Sequence, residues 1–180
     1  QTDISEALQL LKPIHDSSNG IDGYVSVEVD PRLARDTAAT MNAARYLDDQ
    51  LDSKNLYIKI PGTKEGIPAI QEMVSEGRSI NVTLLFSIER YEEVIEAYMS
   101  GLEKREGDLS DISSVASFFI SRTETEVDSR LDEIGTSEAI GLKGKTAVAQ
   151  GQLAYKLFLE QISKDRWKTL ESRGANLQRP

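Results

Sequence analysis

The chain has 180 residues, of which 39% are hydrophobic and 28% charged, the length and composition of one ordinary globular domain. A formal net charge of −9 argues against nucleic acid as a partner, since binding it needs a basic face, and zero cysteines exclude disulfides and thiolate metal sites and fit a reducing cytoplasm. No apolar stretch is long enough to span a bilayer, and no signal-peptide pattern opens the chain, so no membrane partner is expected.

In chain order, the first element is a helical pattern carried by Ile4, Leu8, Leu11 and Ile14. His15, the single histidine, falls near its end and has no second His or Cys to share a metal. A strand follows near 24–29, Tyr24-Val25-Ser26-Val27-Glu28-Val29. Asp30 is then a good N-cap with Pro31 at the first helical position, ahead of a face of Leu33, Thr37, Met41, Ala44, Leu47 and Leu51.

The second strand, near 56–61, reads Leu56-Tyr57-Ile58-Lys59-Ile60-Pro61 and is the most informative segment of the chain. A continuous apolar run marks a strand buried on both faces, and here it carries one ammonium group. Burying a charged lysine is disfavoured unless it has a partner or sheds its proton, and the neutral amine is the nucleophile that Schiff-base enzymes use on carbonyls. The plainer reading is a lysine that snorkels to water from a strand end. Thr63 is placed to cap a short helix carrying Ile67, Ile70, Met73 and Val74, which Gly77 stops.

The third strand, near 80–86, carries Asn81 and Thr83. Ser87 caps the helix after it, whose stripe is Tyr91, Val94, Ile95, Tyr98, Met99 and Leu102. The fourth strand, near 115–121, carries Ser117, with Arg122 just beyond it and Ser121 as the expected cap of a helix closed by Gly135. Arg122 then lies in the first helical turn, where the macrodipole disfavours a cation unless an anion binds there too; a phosphate ester is the obvious candidate. The plainer reading pairs Arg122 with Glu124, Glu126 or Asp128. Gly141-Leu142-Lys143-Gly144-Lys145-Thr146 lacks P-loop spacing and reads as a turn into the next helix. Trp167 reads as core, and the Glu-rich stretches 91–106 and 123–133 as solvated helix faces.

Four buried strands alternating with helices imply a parallel α/β sheet wound right-handedly. Each strand aims polar groups from one face at the period of two, which suggests a lined pocket. Glu28, Lys59 and Thr83 lie late in their strands, as chemistry does in a (β/α)8 TIM barrel, and no Gly-x-Gly-x-x-Gly supports a dinucleotide fold. The length falls short of the roughly 250 residues of that barrel. The expectation is therefore that residues 1–180 form a partial barrel, a piece of a longer protein whose flanking strands are missing here.

Four segments in this order carry a family resemblance: Gly23 to Leu33, Ile58 to Thr63, Ile80 to Ser87, and Ser117 to Arg122. On them the chain strongly resembles transaldolase, the Schiff-base enzyme of the pentose phosphate pathway, in its longer bacterial form. The resemblance identifies the four strands with the third to sixth of the family's barrel. It implies that Lys59 attacks the ketose carbonyl and holds a dihydroxyacetone unit as an imine. It further implies that Glu28 and Thr83 position a catalytic water, that Asn81 binds the hydroxyls of that unit, that Ser117 lines the pocket, and that Arg122 grips the substrate phosphate. Phosphorylated sugars are the partners this implies, and the imine is an electron sink that needs no metal or cofactor. The family's first strand supplies an acid–base aspartate that has no counterpart in this sequence. Two alternatives remain: another Schiff-base sugar-phosphate aldolase, or a non-catalytic half-barrel that binds or assembles only. The oligomeric state stays open.

Overall fold

The computed structural model describes residues 2–180. Helix α1 (Thr2–Ser17) leads into β1 (Val25–Glu28), α2 (Thr37–Leu51), β2 (Leu56–Pro61), α3 (Gly66–Ser75), β3 (Ile80–Leu85), α4 (Ile88–Lys104), β4 (Ser114–Phe118) and α5 (Ser121–Ile134). Three more helices follow, α6 (Ser137–Ile140), α7 (Thr146–Ile162) and α8 (Asp165–Glu171). The strands form one parallel sheet in the order β1-β2-β3-β4. Spatial order equal to chain order is the singly wound arrangement of a barrel; a doubly wound sheet reverses direction partway.

Register separates the two faces. Val27, Ile58, Ile80 and Ser114 pair across one row, and Ile60, Val82 and Ala116 across the next. Ile58, Ile60, Ile80, Val82 and Ala116 are buried with Ile70, Met73, Val94 and Tyr98 from α3 and α4. The row between them, Glu28, Lys59, Asn81 and Val115, faces the other way and is only half-buried or exposed. One face is thus roofed by helices, and the other carries the polar groups.

Side-chain bonds show that this second face is concave. The Asn81 amide donates to Ser26 Oγ at 3.0 Å although β2 lies between their strands. In a flat sheet those backbones stand about 9–10 Å apart, too far for two short side chains. Farther round, Ala116 N–H donates to the carbonyl of Arg179, and a parallel bridge joins Val115 to Arg179. Arg179 in turn donates to the carbonyl of Ile21, just ahead of β1, at 2.6 Å. Four flat strand spacings are about 19 Å, beyond the reach of an arginine, so the sheet is strongly curved. The backbone at Arg179 thus continues the parallel order beyond β4.

Local chemistry explains the helix boundaries, with two corrections. Asp30 does cap, accepting from Arg32 N–H, but what it caps is a 3-10 turn over Pro31–Leu33. The long helix starts only at Thr37, because Asp36 takes an extended conformation and accepts from Ala39 N–H. After β4 the cap position is Ile120, with no side-chain hydrogen bond, and Ser121 is already inside α5. Ser87 and Gly135 behave as the sequence indicates: Ser87 Oγ accepts from Arg90 N–H, and Gly135 closes α5 at φ +68°. The Thr63 hydroxyl accepts from Gly66 N–H and donates to the carbonyl of Ala34, tying the start of α3 to the chain leaving β1.

Trp167 is buried, as its place in the sequence suggests. The Glu-rich face of α4 is not wholly solvated. Arg166 of α8 binds Glu96 and Glu103, whose carboxyl pKa values its hydrogen bonds lower. Helix α5 buries no residue, and Ile134, Val148, Leu153 and Tyr155 are exposed along the outer helices, with Leu142 exposed in the turn between α6 and α7.

Candidate active site

Lys59 is the single residue of β2 that is not buried. The strand belongs to the core, yet its ammonium reaches the concave face with 28% of the side chain exposed, and Nζ stands 3.5 Å from Glu28 Oε2. Lys59 thus has a carboxylate partner and partial access to water. The pair follows directly from register, since Glu28 and Lys59 are Cα partners. Glu28 is itself 40% exposed, so the pair lies on an open concave surface, where a strand buried on both faces was expected for Lys59.

Asn81 is the next residue along the same row. Its Oδ1 accepts from Ser117 Oγ at 2.8 Å, and its Nδ2 donates to Ser26. A chain of three side chains therefore crosses the pocket from β4 to β1 and fixes the amide beside Lys59. Sequence reasoning noticed Ser26 as a polar residue of its strand but gave it no place in the site. The available signal was its spacing, two residues before Glu28 and hence on the same face.

Below this row, Tyr57 forms a floor. It lies two residues before Lys59, stacks on Tyr24 with ring centroids 4.0 Å apart, and shares a 2.6 Å hydrogen bond with Ser113. Burial pushes its phenol up to about 12, so the floor stays uncharged.

Thr83 is fully buried, and its Oγ1 has no hydrogen-bond partner among the described residues. It is Cα partner to Pro61, one pleat beyond the Lys59–Asn81 pair. The backbone immediately after it is irregular. Leu84 has φ +61°, and the pairing with β4 slips between Val82 and Leu85. A non-glycine residue pays about 1–2 kcal/mol for that conformation. The bulge lets Leu85 return to the helix-side core while Leu84 projects outward, 40% exposed.

Arg122 stands apart from these groups. It is exposed in the first turn of α5, and its guanidinium carbon lies 4.7 Å from the centroid of the Phe119 ring. Among the described residues it has no carboxylate within 4.0 Å, so the pairing with Glu124, Glu126 or Asp128 does not form. The structure therefore brings Glu28, Lys59, Asn81 and Ser117 together, sets Thr83 alongside, and leaves Arg122 as a free cation at the rim. All lie toward the C-terminal ends of the strands. A polar cavity of about 530 Å³ lined by residues such as Tyr24, Lys54, Arg78 and Asp111 opens at the opposite, N-terminal end and contains none of them.

Residues 1–177 match the family model described as Transaldolase/Fructose-6-phosphate aldolase. The chain is 51% identical to Transaldolase 2 of Streptomyces coelicolor, over 99% of its own length and 49% of that protein. It is 52% identical to the transaldolase of Thermobifida fusca, again over 99% of its length and 49% of the relative's. The chain spans about half the length of the curated relatives it matches. It belongs to the transaldolase/fructose-6-phosphate aldolase family.

Proposed function

We propose that this chain carries the central part of a transaldolase active site, in which Lys59 forms a Schiff base with a ketose phosphate. The observation that carries the reading is the row Glu28–Lys59–Asn81, with a primary amine and a carboxylate 3.5 Å apart on a concave polar face. The reaction is transfer of a dihydroxyacetone unit from sedoheptulose 7-phosphate to glyceraldehyde 3-phosphate, giving erythrose 4-phosphate and fructose 6-phosphate. Lys59 Nζ adds to the ketose carbonyl, water leaves, and the protonated imine accepts the electrons of the breaking carbon–carbon bond. The aldose departs, and the enamine left on Lys59 adds to the acceptor aldehyde before water releases the product. Glu28 and Thr83 hold the water that relays the protons; the Thr83 hydroxyl has no competing partner among the described residues. Asn81, held by Ser26 and Ser117, binds the hydroxyls of the retained unit. Arg122 takes the phosphate at the start of α5, where its charge is unspent and helix N–H groups are free.

The same reading places the chain in a longer (β/α)8 barrel whose further strands complete the concave face and supply the acid–base aspartate. No helix among the described residues is long and apolar enough to cross a membrane, which suits a cytoplasmic pentose phosphate enzyme.

Borohydride reduction in the presence of fructose 6-phosphate tests the assignment. In the full-length protein, fragment-ion mass spectrometry should place the reduced adduct on the Lys59 side chain and not on the exposed Lys64 five residues later. An adduct on another lysine would remove the basis of the reading. Arg122→Ala should raise KM for fructose 6-phosphate about 10–100-fold, the loss of charge-assisted hydrogen bonds, with little change for fructose. Equal effects on both sugars would make Arg122 a structural residue.

A further inference from the structure

We infer that Phe86 is a positioning residue for Arg122, acting through Phe119. The inference rests on the reading of Arg122 as the phosphate ligand. Phe86 and Phe119 leave the ends of neighbouring strands side by side, because Phe119 N–H donates to the carbonyl of Leu85 at 2.8 Å. Their rings stack with centroids 5.2 Å apart and planes 28° apart, and Arg122 Cζ sits over the Phe119 ring. The backbone of Phe86 is anchored on its other side by the Gln150 amide of α7. Guanidinium, ring and ring thus form a three-member stack at the mouth of the concave face, and 41% of Phe86 is exposed there.

The choice of an aromatic support has a physical reason. A carboxylate beside Arg122 would neutralise it and compete with an incoming anion. A ring face attracts the guanidinium carbon through its quadrupole and leaves the charge and the N–H groups on its rim unspent. A single exposed ring would itself be mobile, and the second ring removes that freedom by stacking. Arg122 has its cation–π contact with Phe119, and Phe86 holds that ring, so it narrows the positions the guanidinium samples before phosphate arrives.

The test uses the full-length protein with fructose 6-phosphate and fructose as donors and erythrose as fixed acceptor, so that either donor gives sedoheptulose and a distinct triose. Phe86→Leu keeps apolar bulk and removes the stack. It should raise KM for fructose 6-phosphate about 3–10-fold, leave kcat within about twofold and leave fructose kinetics unchanged. Phe86→Tyr should restore wild-type values. In an Arg122→Ala background, Phe86→Leu should add nothing. An unchanged KM, parallel losses on both sugars, or a further loss beyond Arg122→Ala would each overturn the inference. If Arg122→Ala alone shows no preference for the phosphorylated sugar, the reading of Arg122 fails, and the inference with it; a selective Arg122→Ala beside an inert Phe86→Leu overturns the inference alone.

Discussion

Lys59→Arg in the full-length protein should fold and yet lose turnover by about 10⁴-fold or more, together with the borohydride-trapped adduct, as removal of a covalent nucleophile does. The substitution keeps a cation within reach of Glu28, so the ion pair and the polar row survive in some form. What it cannot keep is a primary amine, because a guanidinium does not give up its proton to become a nucleophile in protein. Circular dichroism and the thermal midpoint should stay near wild type, which separates lost chemistry from lost structure. Glu28→Gln makes the informative contrast. It preserves shape and hydrogen bonding but carries no proton to relay, so turnover should fall about 10²–10⁴-fold while an adduct on Lys59 can still be trapped. Retained turnover in Lys59→Arg would end the Schiff-base reading; an adduct lost equally in Glu28→Gln would shift the role of Glu28 from proton relay to activation of the amine.

Gly101→Leu should lower stability by about 3 kcal/mol or more and leave little folded protein. Gly101 lies in α4 where it crosses α3, and a Cβ built on it would stand 2.7 Å from the Gln71 carbonyl oxygen and 2.7 Å from Val74 Cβ. One obstacle is backbone and the other is the root of a branched side chain, so neither moves aside cheaply. Even Gly101→Ala should be destabilising, although alanine returns about 1 kcal/mol of helix propensity. Gly151→Ala supplies the opposite case within α7. Its Cβ would meet only the Ile120 side chain, nearest at Cδ1 3.0 Å away, the far end of a flexible side chain, so the propensity gain should prevail. Urea midpoints of the two alanine variants should therefore move in opposite directions. A neutral Gly101→Ala would mean that α3 and α4 slide apart without cost, against the close packing seen between them.

Much of this was legible in the sequence. Apolar strands with one polar face, each followed by a helix with a cap or a stop, determined a parallel α/β sheet, and the period of two placed Glu28, Asn81 and Ser117 on a common side. The lysine in β2 was conspicuous because charge inside an apolar run is costly. What failed were boundaries and surroundings. Asp30-Pro31 and Asp36-Thr37 both offer a helix start, and local chemistry alone does not rank two caps six residues apart. Whether Lys59 is dry or paired depends on which residue register sets opposite it, and register belongs to the sheet. The approach of Ser26 to Asn81 across β2, the reach of Arg179 to Ile21, the left-handed turn at Leu84 beside Thr83, and the stack of Phe86, Phe119 and Arg122 all join residues far apart in sequence or distort a regular strand. Periodicity says which face a side chain takes; only the curvature and register of the assembled sheet decide what it meets there.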